Sequence, residues 1–138
     1  MKLTVYLHFQ GDCREALAFY GEVFKTSPGP IVTYGDAPAS PENPLPAGYG
    51  EKILHTTMEI GGVQIMFSDG FPGWEATKGN HMALTLNAQD AGEAKRIFDG
   101  LQAGGAVSMP LGPTFFSDAY GMLTDKFGVL WHVSVVRE

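Results

Sequence analysis

Apolar residues recur along this chain with two periods, two and about 3.6, and the periods take turns. "KLTVYLHF" alternates, with Val5, Leu7 and Phe9 as the apolar set and Thr4, Tyr6 and His8 between them, which predicts a strand. "GDCREALAFYGEVF" places Ala16, Phe19, Tyr20 and Phe24 at helical spacing, with Asp12 as the expected N-cap and Glu15 three residues on as in a capping box. "IVTYG" predicts a short strand. Residues 35–50 carry Pro38, Pro41, Pro44 and Pro46 and predict a surface loop, with Tyr49 on a segment long enough to act as a lid. "EKILHTTMEIGGVQIMFSD" predicts two strands joined at Gly61-Gly62.

After the connector "FPGWEATKGN" the order begins again. "HMALTLNA" predicts a strand, and "QDAGEAKRIFDGLQAGG" a helix with Asp90 as N-cap, Glu93 three residues later and a stop at Gly104-Gly105. "AVSMPL", "YGMLTD" and "VLWHVSVV" predict three strands, the last two joined by the tight turn "KFG". Asp12-x-x-Glu15-Ala16-x-x-Phe19-Tyr20 lines up with Asp90-x-x-Glu93-Ala94-x-x-Ile97-Phe98. The expected fold is therefore α+β: a single domain of duplicated βαβββ modules, each a curved mixed sheet backed by a helix. The modules fall roughly at residues 1–70 and 79–138, with 71–78 connecting them.

Alternation also sorts the side chains by face. Val63, Ile65 and Phe67 oppose Gln64, Met66 and Ser68; Leu54 and Met58 oppose His55, Thr57 and Glu59. Met82, Leu84 and Leu86 oppose His81, Ala83 and Thr85, and Val129, Trp131, Val133 and Val135 oppose Leu130, His132 and Ser134. All four histidines fall on the less apolar face. A sheet backed by one helix needs one strongly apolar face. The other, mixing hydroxyls, Met, Tyr, Gln and His, has the composition of a cavity lining, and equally of a second packed layer or a dimer interface. On the cavity reading Tyr6, His8, His55 and Met66 contact a ligand. Phe115, Phe116 and Tyr120 of "PTFFSDAYG" would stack on a flat one, or else close a dimer.

Composition narrows the classes. Of 138 residues 44% are hydrophobic and 17% charged, which is globular, and the net charge of −6 with scattered Lys and Arg argues against nucleic acid or an anionic membrane as partner. The one cysteine, Cys13, excludes an internal disulfide and a Cys-rich zinc site; its place beside the helix start is read as packing. "MKLTVYLHFQ" turns amphipathic at once and no apolar run reaches membrane-spanning length, so a cytoplasmic protein is expected. Asp69 and Asp125 end strands and read as turn residues. No phosphate loop, catalytic-triad order or dinucleotide fingerprint is present.

"YLHFQGDCREALAFYGEVF", "LHTTMEIGGVQIMFSD", "GNHMALTL", "EAKRIFDGL", "GGAVSMPL" and "YGMLTDKFGVLW" resemble the PhnB-like branch of the vicinal oxygen chelate superfamily, whose relatives include glyoxalase I, bleomycin-resistance proteins and extradiol dioxygenases. The resemblance implies paired modules, a homodimer and a small organic molecule as partner. In metal-using relatives the first and last strands of each module supply His or Glu ligands, and the positions here are Thr4, Met66, His81 and His132. His81 and His132 would hold a divalent metal such as Zn, Ni, Mn or Fe, with Glu59 or His8 as third ligand or catalytic base. The metal-free alternative is a sequestering dimer of the bleomycin-resistance kind. Members of the branch often carry a methyltransferase label; no strand here leads into a Gly-rich turn for an adenosyl cofactor, so methyl transfer is not expected.

Overall fold

The apolar spacing in the first helical segment folds as anticipated in a computed structural model that describes residues 1–136. The helix α1 spans Cys13–Phe24 and buries Cys13, Ala16, Leu17, Tyr20 and Val23, one stripe at i, i+3, i+4 and i+7. Phe19 and Phe24 sit half-buried at its margins. Around it stand β1 (Tyr6–Phe9), β2 (Val32–Thr33), β3 (Ile53–Ile60) and β4 (Val63–Asp69), hydrogen-bonded in the order β1-β4-β3-β2. β1 runs parallel to β4, and the other pairs are antiparallel. These elements belong to a unit spanning Met1–Thr77.

A second unit, Lys78–Glu138, repeats the pattern. Here β5 (Leu84–Ala88), α2 (Ala91–Gln102), β6 (Ala106–Gly112), β7 (Ser117–Thr124) and β8 (Leu130–Val136) form a sheet of order β5-β8-β7-β6, again with only its first strand parallel to its neighbour. The chain is thus an α+β protein of two βαβββ modules.

Each helix covers one face of its sheet. In the first unit Tyr20 and Phe67 are both fully buried with ring centroids 6.0 Å apart, and Phe9 lies parallel to Phe67 at 6.1 Å. In the second, Ala94, Ile97, Phe98 and Leu101 of α2 are buried, as are Trp131, Val133 and Leu123 of the sheet. Burying an aromatic or large aliphatic side chain in this way contributes about 1.5–3 kcal/mol apiece.

The helix starts differ. Asp90 caps α2 as expected, its Oδ1 accepting the Glu93 amide at 2.8 Å, while Glu93 reaches back to the Gln89 amide at 3.1 Å. Asp12 makes no side-chain cap. The work falls to Asp69 at the end of β4, which is 1% exposed: Oδ1 accepts the Gly11 and Cys13 amides at 2.8 and 3.0 Å, and Oδ2 accepts the Ile53 amide at 2.9 Å. One carboxylate therefore joins the β1–α1 link, the start of β3 and the end of β4, a larger role than the turn residue anticipated. Asp125 holds the β7–β8 turn through the Phe127 and Val129 amides and the Trp131 indole N–H, at 2.8–3.1 Å.

Two strands are shorter than expected at their starts. In the ladder Leu84 stands beside Trp131, so His81 would stand beside Gly128, ahead of the first residue of β8. With no partner strand there, "HMA" stays outside β5. β1 is an edge with one neighbour, and its ladder closes where the Val5 carbonyl accepts the Met66 amide at 2.9 Å, leaving Lys2–Thr4 outside. β7, by contrast, begins three residues early, at Ser117. The Ser117 hydroxyl lies 2.7 and 2.6 Å from the Ala119 and Val135 carbonyls, donating its one proton to one or the other, and accepts the amides of the same two residues. No helix among the described residues is long and apolar enough to cross a membrane.

Replacing Asp69 by Asn turns one of its two acceptor oxygens into an NH2 donor that faces a backbone amide, whichever way the side chain is turned. Asp69→Asn is expected to lower unfolding free energy by about 2–3 kcal/mol in urea titrations, whereas Asp12→Ala is expected to cost less than about 0.5 kcal/mol. Equal losses would assign the cap to Asp12 instead.

Candidate functional site

With one face of each sheet given to its helix, the polar members of the strand alternation go to the other. In the first unit the ladder sets Tyr6 beside Met66 and His8 beside Ser68, and across β3 it sets Thr57 beside Met66 and Glu59 beside Gln64. These residues and His55 share the helix-free face. Tyr6 and His8 stack with centroids 4.4 Å apart and planes at 10°. The Tyr6 hydroxyl and His55 Nδ1 are 3.0 Å apart, and Trp74, from the segment after β4, meets His8 edge-on at 5.9 Å. A continuous row, Trp74–His8–Tyr6–His55, results.

Trp74 was not among the residues singled out from the sequence, because it belongs to no periodic element. The usable signal lay in Gly70: a Cβ there would overlap the Trp74 indole, so the glycine is what lets the ring lie against the chain. Trp74 and Tyr6 are 41% and 38% exposed. Glu59 is exposed on the same face, one step of the alternation past Thr57, and makes no contact with the histidines in the register.

The second unit carries its own row. Thr114 Oγ1 accepts the Phe116 and Ser117 amides at 3.3 and 3.0 Å, forming a turn that holds Phe115 and Phe116 outward, 91% and 48% exposed. Phe115 meets Phe116 at 5.1 Å, Phe116 meets Tyr120 at 5.0 Å, and Tyr120 meets His132 at 5.7 Å, each edge to face. The Tyr120 hydroxyl lies 2.6 Å from His132 Nδ1. The sequence-selected Phe115, Phe116, Tyr120 and His132 are thus brought together.

The ladders make Tyr6 equivalent to Thr85, Met66 to His132 and His55 to Tyr120. Both modules hold a tyrosine–histidine hydrogen bond on the helix-free face, yet on different strands: β1 to β3 in the first, β7 to β8 in the second. When the phenol donates, the neutral imidazole carries its proton on Nε2 and presents a donor to the face.

His81 is placed apart from its expected partner. Thr85, four residues later, is the residue beside His132. His81 is exposed and outside β5. Thr4, the equivalent of Ala83, is exposed outside β1. Among the described residues no group of three His, Cys, Asp or Glu side chains converges to hold a metal ion. His81 and His132 are therefore not neighbours in the ladder of the second unit.

An open cleft of about 380 Å³ lies elsewhere in the first unit, lined by Gly11, Arg14, Gly48 and Lys52. Its cations are engaged: Arg14 donates to the Glu51 carbonyl at 2.8 Å and Lys52 to the Gly11 carbonyl at 2.9 Å. It is a seam stitched between α1 and the proline-rich loop. That loop is also tied at Tyr49, whose hydroxyl donates to the Gly70 carbonyl, and at Tyr34, which donates to the Asp69 carbonyl at 2.7 Å. Cys13, fully buried, packs as anticipated; burial first, then the Asp69 and Asp12 carboxylates, push its thiol well up, so no thiolate forms near neutrality.

The family model described as 3-demethylubiquinone-9 3-methyltransferase matches residues 1–134. Protein YjdN of Escherichia coli is 34% identical over 144 residues, which cover all of this chain and 97% of YjdN. Among solved structures, protein PA1353 from Pseudomonas aeruginosa is 35% identical, with 100% of this chain and 99% of that one covered and a TM-score of 0.85. A putative 3-demethylubiquinone-9 3-methyltransferase, PhnB protein, from Bacillus cereus is 29% identical, with 99% and 100% covered and a TM-score of 0.80. The fosfomycin resistance protein FosX of Listeria monocytogenes shares the fold at 12% identity, with 99% and 94% covered and a TM-score of 0.68.

Burial, first, and the neighbouring Tyr49 and Asp69 raise the Tyr34 phenol above its usual 10.0, and burial with Asp69 raises Tyr49 likewise. The folded state thus favours both neutral phenols. The stability this contributes is complete below about pH 10 and is lost as pH rises through the raised values. Ultraviolet titration is expected to show late-ionising phenols that Tyr34→Phe and Tyr49→Phe each reduce by one; all tyrosines titrating together would contradict it.

Proposed function

Because the chain belongs to the family described as 3-demethylubiquinone-9 3-methyltransferase, the PhnB-like branch within the glyoxalase-like superfamily, we propose that it acts through the helix-free faces of its sheets, binding a small organic molecule. The observation that carries this reading is the pair of aromatic rows, each ending in a tyrosine–histidine hydrogen bond. Ring faces supply stacking area, and the imidazole and phenol groups supply a few placed donors and acceptors, the balance that small-molecule sites use. The protein is read as a metal-free binder of the bleomycin-resistance kind, cytoplasmic and homodimeric.

Methyl transfer does not enter the reading. The strand-to-helix links are Gln10-Gly11-Asp12 and Gln89-Asp90, neither of them a glycine-rich turn of the kind that cradles an adenosyl cofactor. Metal-assisted chemistry on vicinal oxygens, with His81 and His132 as ligands and Glu59 or His8 as third ligand or base, is the alternative, and it needs His81 moved by about four residues of register.

The two tryptophans make the test direct, since Trp131 is buried and Trp74 is not. In a screen of small aromatic compounds, a binder is expected to change tryptophan emission in the native protein and not in Trp74→Phe. Tyr6→Ala is expected to weaken that binder at least about tenfold, and His81→Ala to leave it unchanged. A binder whose signal and affinity survive both Trp74→Phe and Tyr6→Ala would remove the first unit's row from the site. Protein purified without a His tag is expected to hold well under one transition-metal ion per chain, and added Zn, Ni, Mn or Fe to leave the melting temperature unmoved. Stoichiometric metal lost in His132→Ala would establish the alternative.

A further inference from the structure

Three side chains with sulfur or nitrogen donors stand in one row across the second sheet. The ladder sets Met109 of β6 beside Met122 of β7, and Met122 beside His132 of β8. Directly paired residues point to the same face of a sheet, and here that face is the helix-free one. A Cβ at Gly121 would meet the Phe98 ring of α2, so Met122, next along the strand, turns the other way. Gly121 and Leu123 are buried accordingly, whereas Met109, Met122 and His132 are each half-buried.

Neighbours in such a row have Cβ atoms about 4.5–5.5 Å apart. With Met122 in the middle, an ion above it has a thioether to one side and an imidazole to the other. The unbranched methionine side chain has the length and the freedom to turn its sulfur inward. His132 is already oriented, its Nδ1 lying 2.6 Å from the Tyr120 hydroxyl. With the imidazole proton on Nδ1 and donated to the Tyr120 oxygen, the Nε2 lone pair is left for an ion, and the phenol is the second partner that metal-bound histidines ordinarily have. Two thioethers and an imidazole, all neutral and with no carboxylate in the row, select soft monovalent copper over hard divalent ions. The corresponding row of the first unit is Met66 and Thr57, one thioether beside a hydroxyl.

We infer that Met109, Met122 and His132 form a three-donor site for Cu(I) on the helix-free face of the second unit. The set is separate from the His81–His132 pairing for divalent metals, and it stands whether or not the first unit's row binds a ring. Neutral donors on a half-open face make a weak site, so the purified protein is expected to be empty and to fill when the ion is supplied.

The full-length protein is titrated anaerobically with Cu(I) against a colorimetric Cu(I) chelator, and in chloride-free buffer with Ag(I), a soft ion that keeps its oxidation state. One ion per chain is expected, with the ε-methyl resonances of Met109 and Met122 shifting and that of the buried Met58 unmoved. Met109→Leu and Met122→Leu, close to volume-conserving, are each expected to keep the ion-free fold by circular dichroism and to weaken binding at least about tenfold. Met82→Leu, at an exposed residue outside β5, is expected to change nothing, and Cys13→Ala, which removes the one thiol, to retain the ion. Absence of binding, or an affinity unaltered in either Met109→Leu or Met122→Leu, would overturn the site. Loss of the ion in Cys13→Ala with the methionine resonances unmoved would assign it to the thiol and overturn the site equally.

Discussion

A four-stranded sheet with a single twelve-residue helix against it buries one face and leaves the other to be filled by something else. Tyr20 against Phe67 in the first unit, and Phe98 with Trp131 and Leu123 in the second, commit the apolar half of each strand alternation to the helix side. The site follows from that commitment. The period of two leaves Tyr6, His8, His55, Thr57, Glu59 and Met66 no other direction to point.

Buried carboxylates then fix the ends of the elements. Asp69 ties three separate segments through backbone amides, and Asp125 secures a turn and the Trp131 indole. Charge-assisted bonds to backbone donors are among the stronger polar interactions available to a small domain. Here they set where the strands stop. That in turn places the segment carrying Trp74 just past Asp69, against Gly70, where its ring closes the aromatic row.

The two modules have kept the architecture and rearranged the chemistry. One residue more in the first β–α link, at Gly11 with φ of 92°, puts helix and strand out of step between the modules, so that helices align at one spacing and strands at another. The tyrosine–histidine contact survives in both but on different strand pairs. Fold similarity to FosX at 12% identity belongs to the same picture: the architecture is shared widely, whereas the groups mounted on it are particular to each chain.

Periodicity alone determined the duplicated βαβββ order, the α+β class and the parity of His8, His55 and His132, because alternation and helical spacing are local properties that burial enforces residue by residue. It also identified Tyr6, His8, His55 and His132 as occupants of one kind of face, whereas Phe115, Phe116 and Tyr120 were legible only as aromatics gathered on an irregular segment. What it left to the tertiary structure was the distance along the strands. His81 stands where β8 has not yet begun and so falls outside β5, and parity carries no information about which residue of a neighbouring strand lies alongside. Asp69 in place of Asp12 as the cap of α1, and Trp74 at the end of the aromatic row, were decided the same way. Both depend on chain segments far apart in sequence meeting, and no local pattern encodes that meeting.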